Sequence, residues 1–472
     1  MVKVRFHRRW HLLAAMLAVF ALIAAACGDD DSADTAADTE ESSSEEAATS
    51  DDEAEDDEPA AETDEEPAAE GDEEPAAEEE PPAEGDATVR DIGALGPPTG
   101  EPIVIGFVNT EGPAGLNFPE LEDAAAASVD YLNEHGGMGN RPIQFEVCIA
   151  EGSPESSQAC AQELAGKNVE MVLLGLDLFP DYATYDAAGI PVAGIIPLFP
   201  ADYASDAIYL GGGNATLAAG NAYVAKEFFG ATKVAIISAD NAGANSSEAS
   251  VIAALEKAGI EYRSIKGAES ETDAGAQGLV REALSDDPDL LISLYGDAGC
   301  IGMIRGRAAL GSDVPVLAAN TCTNSEVLEA VGDDAFGWIF LPGGEPPGTA
   351  EALALKTAIA PVAGVENPED VVPSDLGLGS LSPIVVFTVA AAANDLAATG
   401  GEVTGAAVAE HMKTNPDGRL SVFPDGATLT CGQAEAYPSV CDLSLFAGEY
   451  VGDGRIELVE GLESFDVTEY LP

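Results

Sequence analysis

Short apolar runs alternate with longer helix-type segments along most of the chain, and this alternation constrains the fold more than any other feature. The first run, 103–108, is wholly apolar, as expected for a parallel strand that is covered on both faces. Strands alternating with helices of about 10–15 residues indicate βαβ units and parallel sheets. The Gly-rich segment 211–213 separates two such series. The sequence therefore predicts an α/β fold with two doubly wound parallel-sheet lobes.

The predicted strands are 103–108, 143–149, 170–175, 191–196, 207–210, 233–238, 261–265, 289–295, 314–318 and 337–341. The predicted helices are 119–134, 155–166, 181–188, 215–229, 245–258, 273–285, 300–310, 324–331, 348–360, 380–398 and 402–413. In open parallel sheets, ligands bind beyond the carboxyl ends of the strands, where helix N-termini point. Two facing lobes would therefore place a small-molecule cleft between those edges.

Residues 1–27 have the features of a bacterial lipoprotein signal peptide. A basic start is followed by an apolar run, 11–26, which is too short to span a bilayer as a mature helix. Cys27 follows three Ala residues, as in the bacterial lipobox, although Ala24 stands where Leu is usual. The resemblance implies lipidation of Cys27, and the acyl chains would be the membrane contact. An ordinary secreted protein with a chance Cys is the alternative.

The next segment, 28–98, is rich in Ala, Glu, Asp, Pro, Ser and Thr and contains no aromatic residue. Such a composition buries too little apolar surface to offset the loss of chain entropy. We expect a disordered acidic linker that lifts the folded part away from the membrane. A cation-binding or partner-binding tail is the alternative.

The charge balance excludes one class of function. The chain has 85 Asp and Glu against 19 Lys and Arg, and its net charge is −66. Nucleic-acid binding needs a phosphate-neutralising basic surface, which so few cations cannot build. We therefore expect no nucleic-acid partner.

Cysteine usage indicates disulfides rather than a metal site. Six cysteines remain after Cys27, and export makes disulfides plausible. Six cysteines allow 15 connectivities, of which sequence proximity favours Cys148–Cys160, Cys300–Cys322 and Cys431–Cys441. Free thiols are the alternative. Zinc is disfavoured because no C-x-x-C motif occurs and His is scarce.

Several segments resemble one family. Residues 102–110 and Gly112-Pro113 are followed by 124–133 and then by Gly-Gly-Met-Gly-Asn-Arg-Pro-Ile at 136–143. Together they resemble the leucine/isoleucine/valine-binding type of periplasmic binding protein, the type I solute-binding fold. Weaker echoes lie at 187–192 and 233–237.

The resemblance implies a bilobal receptor that closes on a solute and delivers it to the permease of an ABC transporter. It also implies three crossings between the lobes, placed near 211–215, 341–345 and 440–443. The predicted lobes are 99–213 plus 343–441, and 214–342 plus 442–472.

In the first lobe, the loops after the strands supply the candidate ligand contacts: Gly112, Asn117, Phe118, Leu178, Phe179, Leu198 and Phe199. Amino-acid binders of the family carry Ser and Thr in the last two loops, where these hold the ligand carboxylate. Here apolar residues replace those hydroxyls. Two aromatic walls for an apolar ligand are one interpretation, and helix capping with core packing is the other.

In the second lobe, the candidate contacts are Asp240, Asn241, Tyr295, Asp297, Asn320 and Thr321. The family's amino-acid binders pair the ligand ammonium with an acid in the last loop, where Asn320 stands here. Asp297 could substitute, although capping of the following helix is an equal alternative. Tyr295 could contact a ligand or pack in the core.

The sequence contains no G-x-S-x-G, H-E-x-x-H or Walker A motif. We therefore expect a monomeric, extracytoplasmic solute-binding lipoprotein that is not an enzyme and needs no cofactor or metal. Its ligand would be an amino acid, an amide or an apolar or aromatic carboxylate. A sensory receptor module with the same fold is the alternative.

Overall fold

The structure, a computed structural model, describes residues 95–112, 117–269, 271–342, 350–414 and 429–472. The predicted signal peptide, Cys27 and the linker up to residue 94 lie outside the described residues. The last four linker residues are described, and the Leu95 side chain lies against Gly136. The described part thus begins inside the segment that was predicted to be linker.

The strands are β1 (Ile103–Thr110), β2 (Ile143–Ala150), β3 (Met171–Leu174), β4 (Val192–Gly194), β5 (Ile208–Tyr209), β6 (Lys233–Ala239), β7 (Glu261–Gly267), β8 (Leu290–Leu294), β9 (Val316–Ala319), β10 (Trp338–Leu341), β11 (Ser444–Leu445), β12 (Gly448–Gly452), β13 (Arg455–Leu458) and β14 (Phe465–Asp466). The helices are α1 (Pro119–Glu134), α2 (Pro154–Gly166), α3 (Tyr182–Ala188), α4 (Pro200–Ala204), α5 (Gly213–Tyr223), α6 (Ala242–Ala258), α7 (Asp273–Leu284), α8 (Asp297–Leu310), α9 (Ser325–Val331), α10 (Ala350–Ala363), α11 (Leu381–Ala398) and α12 (Gly405–Thr414). A π-helical turn, Val224–Phe228, extends α5, and 3₁₀ turns lie at Asn320–Thr323, Gly332–Ala335, Pro368–Asp370, Pro373–Ser380 and Thr468–Tyr470.

The first lobe contains a parallel sheet with the strand order β2-β1-β3-β4-β5. Alternation along β1 sends Ile105 and Phe107 to the face that α1 covers, and Val108 to the face that α2 covers. Both faces are therefore buried, which is why β1 is an unbroken apolar run.

Helices from late in the chain complete the first lobe. Ile359 of α10, Phe387 of α11 and Val408 of α12 belong to the same buried cluster as Ile105 and Phe107 of β1. Residues Pro373–Ala398 are long and apolar enough to cross a membrane, but 61% of their most apolar stretch is buried. This stretch is thus packed as a core helix of the first lobe.

The second lobe contains a sheet with the strand order β13-β12-β10-β9-β8-β6-β7. Strands β6 to β10 are parallel, and β12 and β13 add to one edge in antiparallel pairing. Val234 and Ile236 of β6 face one core, and Ala235 and Ile237 face the other. Strands β11 and β14 form a separate antiparallel ribbon.

The chain passes between the two sheets three times. It leaves the first after β5 and enters α5 at Gly213. The second passage follows Leu341, and its residues 343–349 lie outside the described part. At the third passage, Cys441 belongs to the first-lobe core, whereas Val440 and Leu443 belong to the second. This architecture confirms the predicted α/β fold with two doubly wound lobes.

Three disulfides join Cys148 to Cys160, Cys300 to Cys322 and Cys431 to Cys441. These are the pairs that sequence proximity favoured. Cys300 lies near the start of α8, which follows β8, and Cys322 lies in the 3₁₀ turn after β9. This bridge therefore joins the segments that follow two neighbouring strands of the second lobe.

Candidate functional site

The carboxyl edge of the first sheet is organised by the buried side chain of Asn109, at the end of β1. Its amide nitrogen donates to the Phe118 carbonyl oxygen at 2.7 Å, and its amide oxygen accepts from the Leu176 N–H at 3.2 Å. Gly175 permits this approach, because a Cβ there would lie 2.9 Å from Asn109 Oδ1. One side chain thus fixes the loops after β1 and β3 against each other.

A small apolar cluster fills the space between these loops. Its buried members are Phe118, Leu121, Leu176 and Leu178, and its partly buried members are Leu198, Phe199, Leu378 and Leu381. We call this set, together with Phe179, the apolar wall. Phe179 stacks on Phe199 with ring centroids 6.0 Å apart and an angle of 8° between the planes. Phe179 is 38% exposed, so the wall presents an aromatic surface to solvent at the strand ends.

The carboxylate of Asp202, three residues after Phe199, is 2% exposed. One oxygen accepts from the N–H groups of Leu198 and Phe199, each at 2.8 Å. The other accepts from the Tyr182 hydroxyl at 2.7 Å. The Tyr209 hydroxyl lies 2.6 Å from that of Tyr182 and donates to it, since Tyr182 gives its proton to Asp202. The N–H groups of Leu198 and Phe199 are therefore used inside the protein.

A second carboxylate, Asp177, lies buried under the loop after β3 and is 4% exposed. Its Oδ1 accepts from the Ser157 hydroxyl at 2.5 Å and from the Phe179 N–H at 3.1 Å. Among the described residues its Oδ2 has no hydrogen-bond partner. Burial raises the pKa of the Asp177 carboxyl, and the nearby charge of Asp202 adds to that effect.

Acidic side chains also gather beside the end of β1, at the start of α1. Burial, a hydrogen bond with Glu111 and the charges of Glu111 and Asp123 together raise the pKa of Glu122 to about 7. Burial likewise raises the pKa of Glu120. This part of the edge is therefore a region where negative charges repel one another.

The corresponding edge of the second lobe is polar and more exposed. Asp240 is exposed after β6. The Asn241 side chain accepts from the Ala244 N–H at 2.9 Å and so caps α6. Asn320 is exposed after β9, and Thr321 is half-buried beside Gly296, whose Cβ position lies 3.8 Å from the Thr321 hydroxyl. The ends of β8 and β9 thus adjoin.

Tyr295 does not reach this surface, which corrects its place among the candidate ligand contacts. It is 3% exposed, belongs to the second-lobe core, and directs its hydroxyl towards Gly267 of β7. Burial raises its pKa to about 12. The sulfur atoms of Cys300 and Cys322 lie 3.5 and 3.6 Å from its carbonyl oxygen, so the disulfide lies beside its backbone.

The candidate contact Asp297 is the first residue of α8, and Gly296 occupies the cap position that had been expected for Asp297. Its side chain lies outside the described residues. Helix α8 thus begins three residues earlier than the predicted 300–310.

The 3₁₀ segment Pro373–Ser380 connects the two edges. On the first-lobe side Leu376 packs on the core and Leu378 on the apolar wall. On the second-lobe side the Asp375 carboxylate accepts from the Ser325 N–H and hydroxyl, each at 2.8 Å. The Ser374 hydroxyl also donates to the Thr323 carbonyl oxygen at 3.3 Å. The apolar wall and the end of β9 therefore flank one segment.

The structure thus brings only part of the predicted set to exposed or half-exposed positions at the two edges. Those that do so are Gly112, Asn117, Phe179, Leu198, Phe199, Asp240, Asn241, Asn320 and Thr321. Phe118 and Leu178 are instead buried in the apolar wall, at 0% and 6% exposure, because they fill the gap between the strand-end loops and α1. For these two residues the packing alternative is the observed one.

Sequence reasoning missed the two buried carboxylates and the Asp375 contact. A signal for Asp202 was present, because the near-repeat Leu-Phe-Pro at 178–180 and 198–200 is followed by Asp-Tyr, directly in the first copy and after Ala201 in the second. In the first copy Asp181 caps α3, with its oxygen 3.3 Å from the Thr184 nitrogen. No comparable pattern marks Asp375.

A cavity of about 490 Å³ lies at the opposite, amino edge of the first sheet, beside Arg141 and Glu170. The Arg141 guanidinium donates to both Glu170 oxygens, at 2.6 and 3.1 Å, and to three main-chain carbonyls. All five of its N–H groups are used, so this cavity offers a solute no charged donor. Over the described ranges, no group of three His, Cys, Asp or Glu side chains is placed to hold a metal ion.

Comparison with known proteins identifies the family to which this chain belongs. The periplasmic binding protein family matches residues 102–431. The chain belongs to this family of solute-binding proteins. The family is not an enzyme family, and its members act outside the cytoplasm. No curated protein matches the chain in sequence.

Solved structures share the fold at low sequence identity. A proposed branched-chain amino acid ABC transporter from Rhodospirillum rubrum aligns with a TM-score of 0.58 and 16% identity, covering 76% of this chain and 99% of that one. An ABC transporter substrate-binding protein from Sphaerobacter thermophilus gives 0.57 and 19%, covering 79% and 100%. A leucine binding protein from Thermotoga maritima gives 0.51 and 12%, covering 76% and 97%. These likenesses establish the type I fold.

Proposed function

We propose that the chain is the substrate-binding lipoprotein of an ABC transporter, anchored outside the cytoplasm through lipid on Cys27. It binds a small solute between its lobes and delivers it to a permease. The observation that carries this proposal is the stacked aromatic pair of exposed Phe179 and partly buried Phe199 at the carboxyl ends of one sheet. Polar Asn320 and Thr321 lie at the corresponding ends of the other sheet, and both sets flank the segment 373–380.

The mechanism follows from this arrangement. A solute that contacts both edges stabilises the state in which the lobes are closed, by its difference in affinity between the open and closed states. The three passages between the sheets serve as the hinge. The candidate solutes are amino acids, amides and apolar or aromatic carboxylates, each with an apolar part for the wall.

A thermal-unfolding screen tests solute binding. The full chain, purified in detergent, is heated with amino acids, amides, amines, sugars and aromatic acids. A ligand at about 100 times its dissociation constant stabilises the folded state by about 2.7 kcal/mol. We expect stabilisation by compounds with a branched or aromatic group. Stabilisation by none of these classes contradicts the proposal.

The anchor and the oligomeric state have separate tests. Metabolic labelling with a radioactive fatty acid should label the wild-type chain and fail to label Cys27→Ala, which should also leave the membrane fraction. Light scattering of the purified protein should give the mass of a monomer. Label on Cys27→Ala, or a dimer mass, contradicts the corresponding statement alone.

A further inference from the structure

We propose that the cleft selects a neutral or cationic apolar solute and rejects the matching carboxylate, with Asp202 as the positioning residue that sets this preference. The inference rests on the proposed solute-binding function. It narrows the ligand class to amides and amines that carry a branched or aromatic group.

The first step concerns the main-chain donors. Free N–H groups at the end of a strand and the start of a helix ordinarily attract anions. In the loop after β4, the N–H groups of Leu198 and Phe199 both donate to Asp202 at 2.8 Å. In the loop after β3, the Phe179 N–H donates to Asp177 at 3.1 Å. A ligand carboxylate beside the aromatic pair therefore finds these donors occupied.

The second step concerns how firmly Asp202 is held. Its second oxygen accepts from Tyr182, which in turn accepts from the hydroxyl of Tyr209. Tyr209 is a buried residue of β5, so this chain of hydrogen bonds anchors the carboxylate to the sheet. An incoming anion would have to displace a buried carboxylate that accepts three hydrogen bonds to reach the two N–H groups.

The third step concerns charge along the described strand-end segments, 111–112, 117–123, 175–182, 195–203, 239–245, 295–299, 319–325 and 373–380. They contain no Lys, Arg or His. Their acidic residues are Glu111, Glu120, Glu122, Asp123, Asp177, Asp181, Asp202, Asp240, Asp297 and Asp375. Lys266, near the end of β7, is already paired with Glu248 at 3.2 Å. Juxtaposed like charges disfavour binding strongly, so these edges oppose an anionic solute.

The aromatic pair explains which solutes the cleft favours. Stacked Phe rings that reach solvent favour branched or aromatic groups through burial and attract cations through their π faces. A solute with an apolar group and a neutral or cationic head satisfies both the rings and the surrounding charge.

The test uses matched probes that differ in the head group alone. Leucine, leucinamide and 4-methylpentanoate share one branched group, and phenylalanine and phenylalaninamide share one aromatic group. Their dissociation constants are measured by calorimetry on the full chain in detergent at pH 7. We expect leucinamide to bind about tenfold or more tightly than leucine, and 4-methylpentanoate to bind most weakly.

The variant Asp202→Asn tests the assigned residue. The Asn oxygen can still accept from the loop N–H groups while the charge is removed, so the preference for leucinamide over leucine should fall by about tenfold. Asp186→Asn, at an exposed position on α3, is the matched control and should keep the wild-type ratio. Should Asp202→Asn not fold, Tyr182→Phe removes one of the hydrogen bonds to Asp202 and should reduce the ratio less.

The outcomes separate the inference from the proposed function. Leucine or 4-methylpentanoate binding as tightly as leucinamide to the wild type overturns the inference and leaves solute binding intact. An unchanged ratio in both Asp202→Asn and Tyr182→Phe removes the role of Asp202. Failure of every probe while another class stabilises the protein overturns the inference alone, and failure of all classes overturns both.

Discussion

The two strand-end edges are built differently although both belong to doubly wound parallel sheets. The first-lobe edge buries apolar side chains and two carboxylates, and it satisfies its own main-chain donors through Asp177 and Asp202. The second-lobe edge leaves Asp240 and Asn320 exposed and uses Asn241 as a helix cap. One fold can therefore carry a preformed apolar surface on the edge of one lobe and a polar, solvent-exposed surface on the edge of the other.

The largest expected effect separates packing from surface within the apolar wall. Phe118→Ala should lower the free energy of unfolding by about 3–5 kcal/mol, because it empties a fully buried site. Phe179→Ala, at a partly exposed position, should cost much less. Urea unfolding of both variants measures the two values. Equal losses of unfolding free energy in the two variants would contradict the distinction between buried Phe118 and partly exposed Phe179 within the apolar wall.

The next effect compares the two edges in binding. Phe199→Ala should weaken binding of the preferred solute about tenfold or more, since it removes one ring of the stacked pair. Asn320→Ala should weaken it less, because a solvent-exposed hydrogen bond contributes about 1 kcal/mol. Calorimetry with the same ligand gives both constants. A greater loss of affinity in Asn320→Ala than in Phe199→Ala would contradict the larger contribution assigned to the first-lobe edge.

A smaller effect concerns the contact that joins the edges. Asp375→Ala removes two hydrogen bonds to Ser325, and each such bond contributes about 1 kcal/mol. The unliganded variant should therefore populate more open conformations, with a larger radius of gyration in small-angle X-ray scattering. Glu369→Ala, at an exposed position in a neighbouring turn, should match the wild type. A radius unchanged from wild type in Asp375→Ala would contradict a role in holding the lobes together.

The smallest expected effect is the contribution of Glu122 to the pH dependence of the free energy of unfolding. The pKa of Glu122 is raised to about 7 in the folded state from a usual value of 4.5, mainly by burial. The folded state therefore binds the proton more tightly, and stability from this group is present below pH 4.5 and lost as pH rises towards 7. Glu122→Gln should accordingly stabilise the protein at pH 8 more than at pH 5 in urea unfolding. Asp130→Asn, exposed on the same helix, is the control, and an equal effect of Glu122→Gln at both pH values would refute the assignment.

The sequence predicted the order of strands and helices well because each strand is a separate apolar run bounded by turn residues. Helix α1 begins and ends where it was predicted, at 119 and 134. The predicted helix 215–229 is instead an α-helix followed by a π turn from Val224. A change in hydrogen-bond spacing leaves no mark on apolar periodicity, so this boundary was not accessible.

The candidate site was predicted less well than the fold. The strand-end loops were placed correctly, but the direction of each side chain within a loop depends on tertiary packing. Phe118 and Phe179 look alike in sequence, yet one is buried beneath α1 and the other is exposed. Asp375 lies 50 residues from Ser325 in the chain, and no local sequence pattern predicts a contact over such a separation.

The order in which the lobes are completed has a consequence for export. The first-lobe sheet is finished at Tyr209, but one of its faces is covered by α10, α11 and α12, which follow the second lobe in the chain. A chain that emerges from a membrane channel from its amino end therefore exposes that apolar face until about residue 412 has crossed. The parallel strands of the second lobe lie within 233–341, but its core also includes Val440, Leu443 and Phe465, so it too is completed only by the end of the chain. An extracytoplasmic chaperone that shields β1, β3 and β4 during this interval would serve a need that the chain order itself creates.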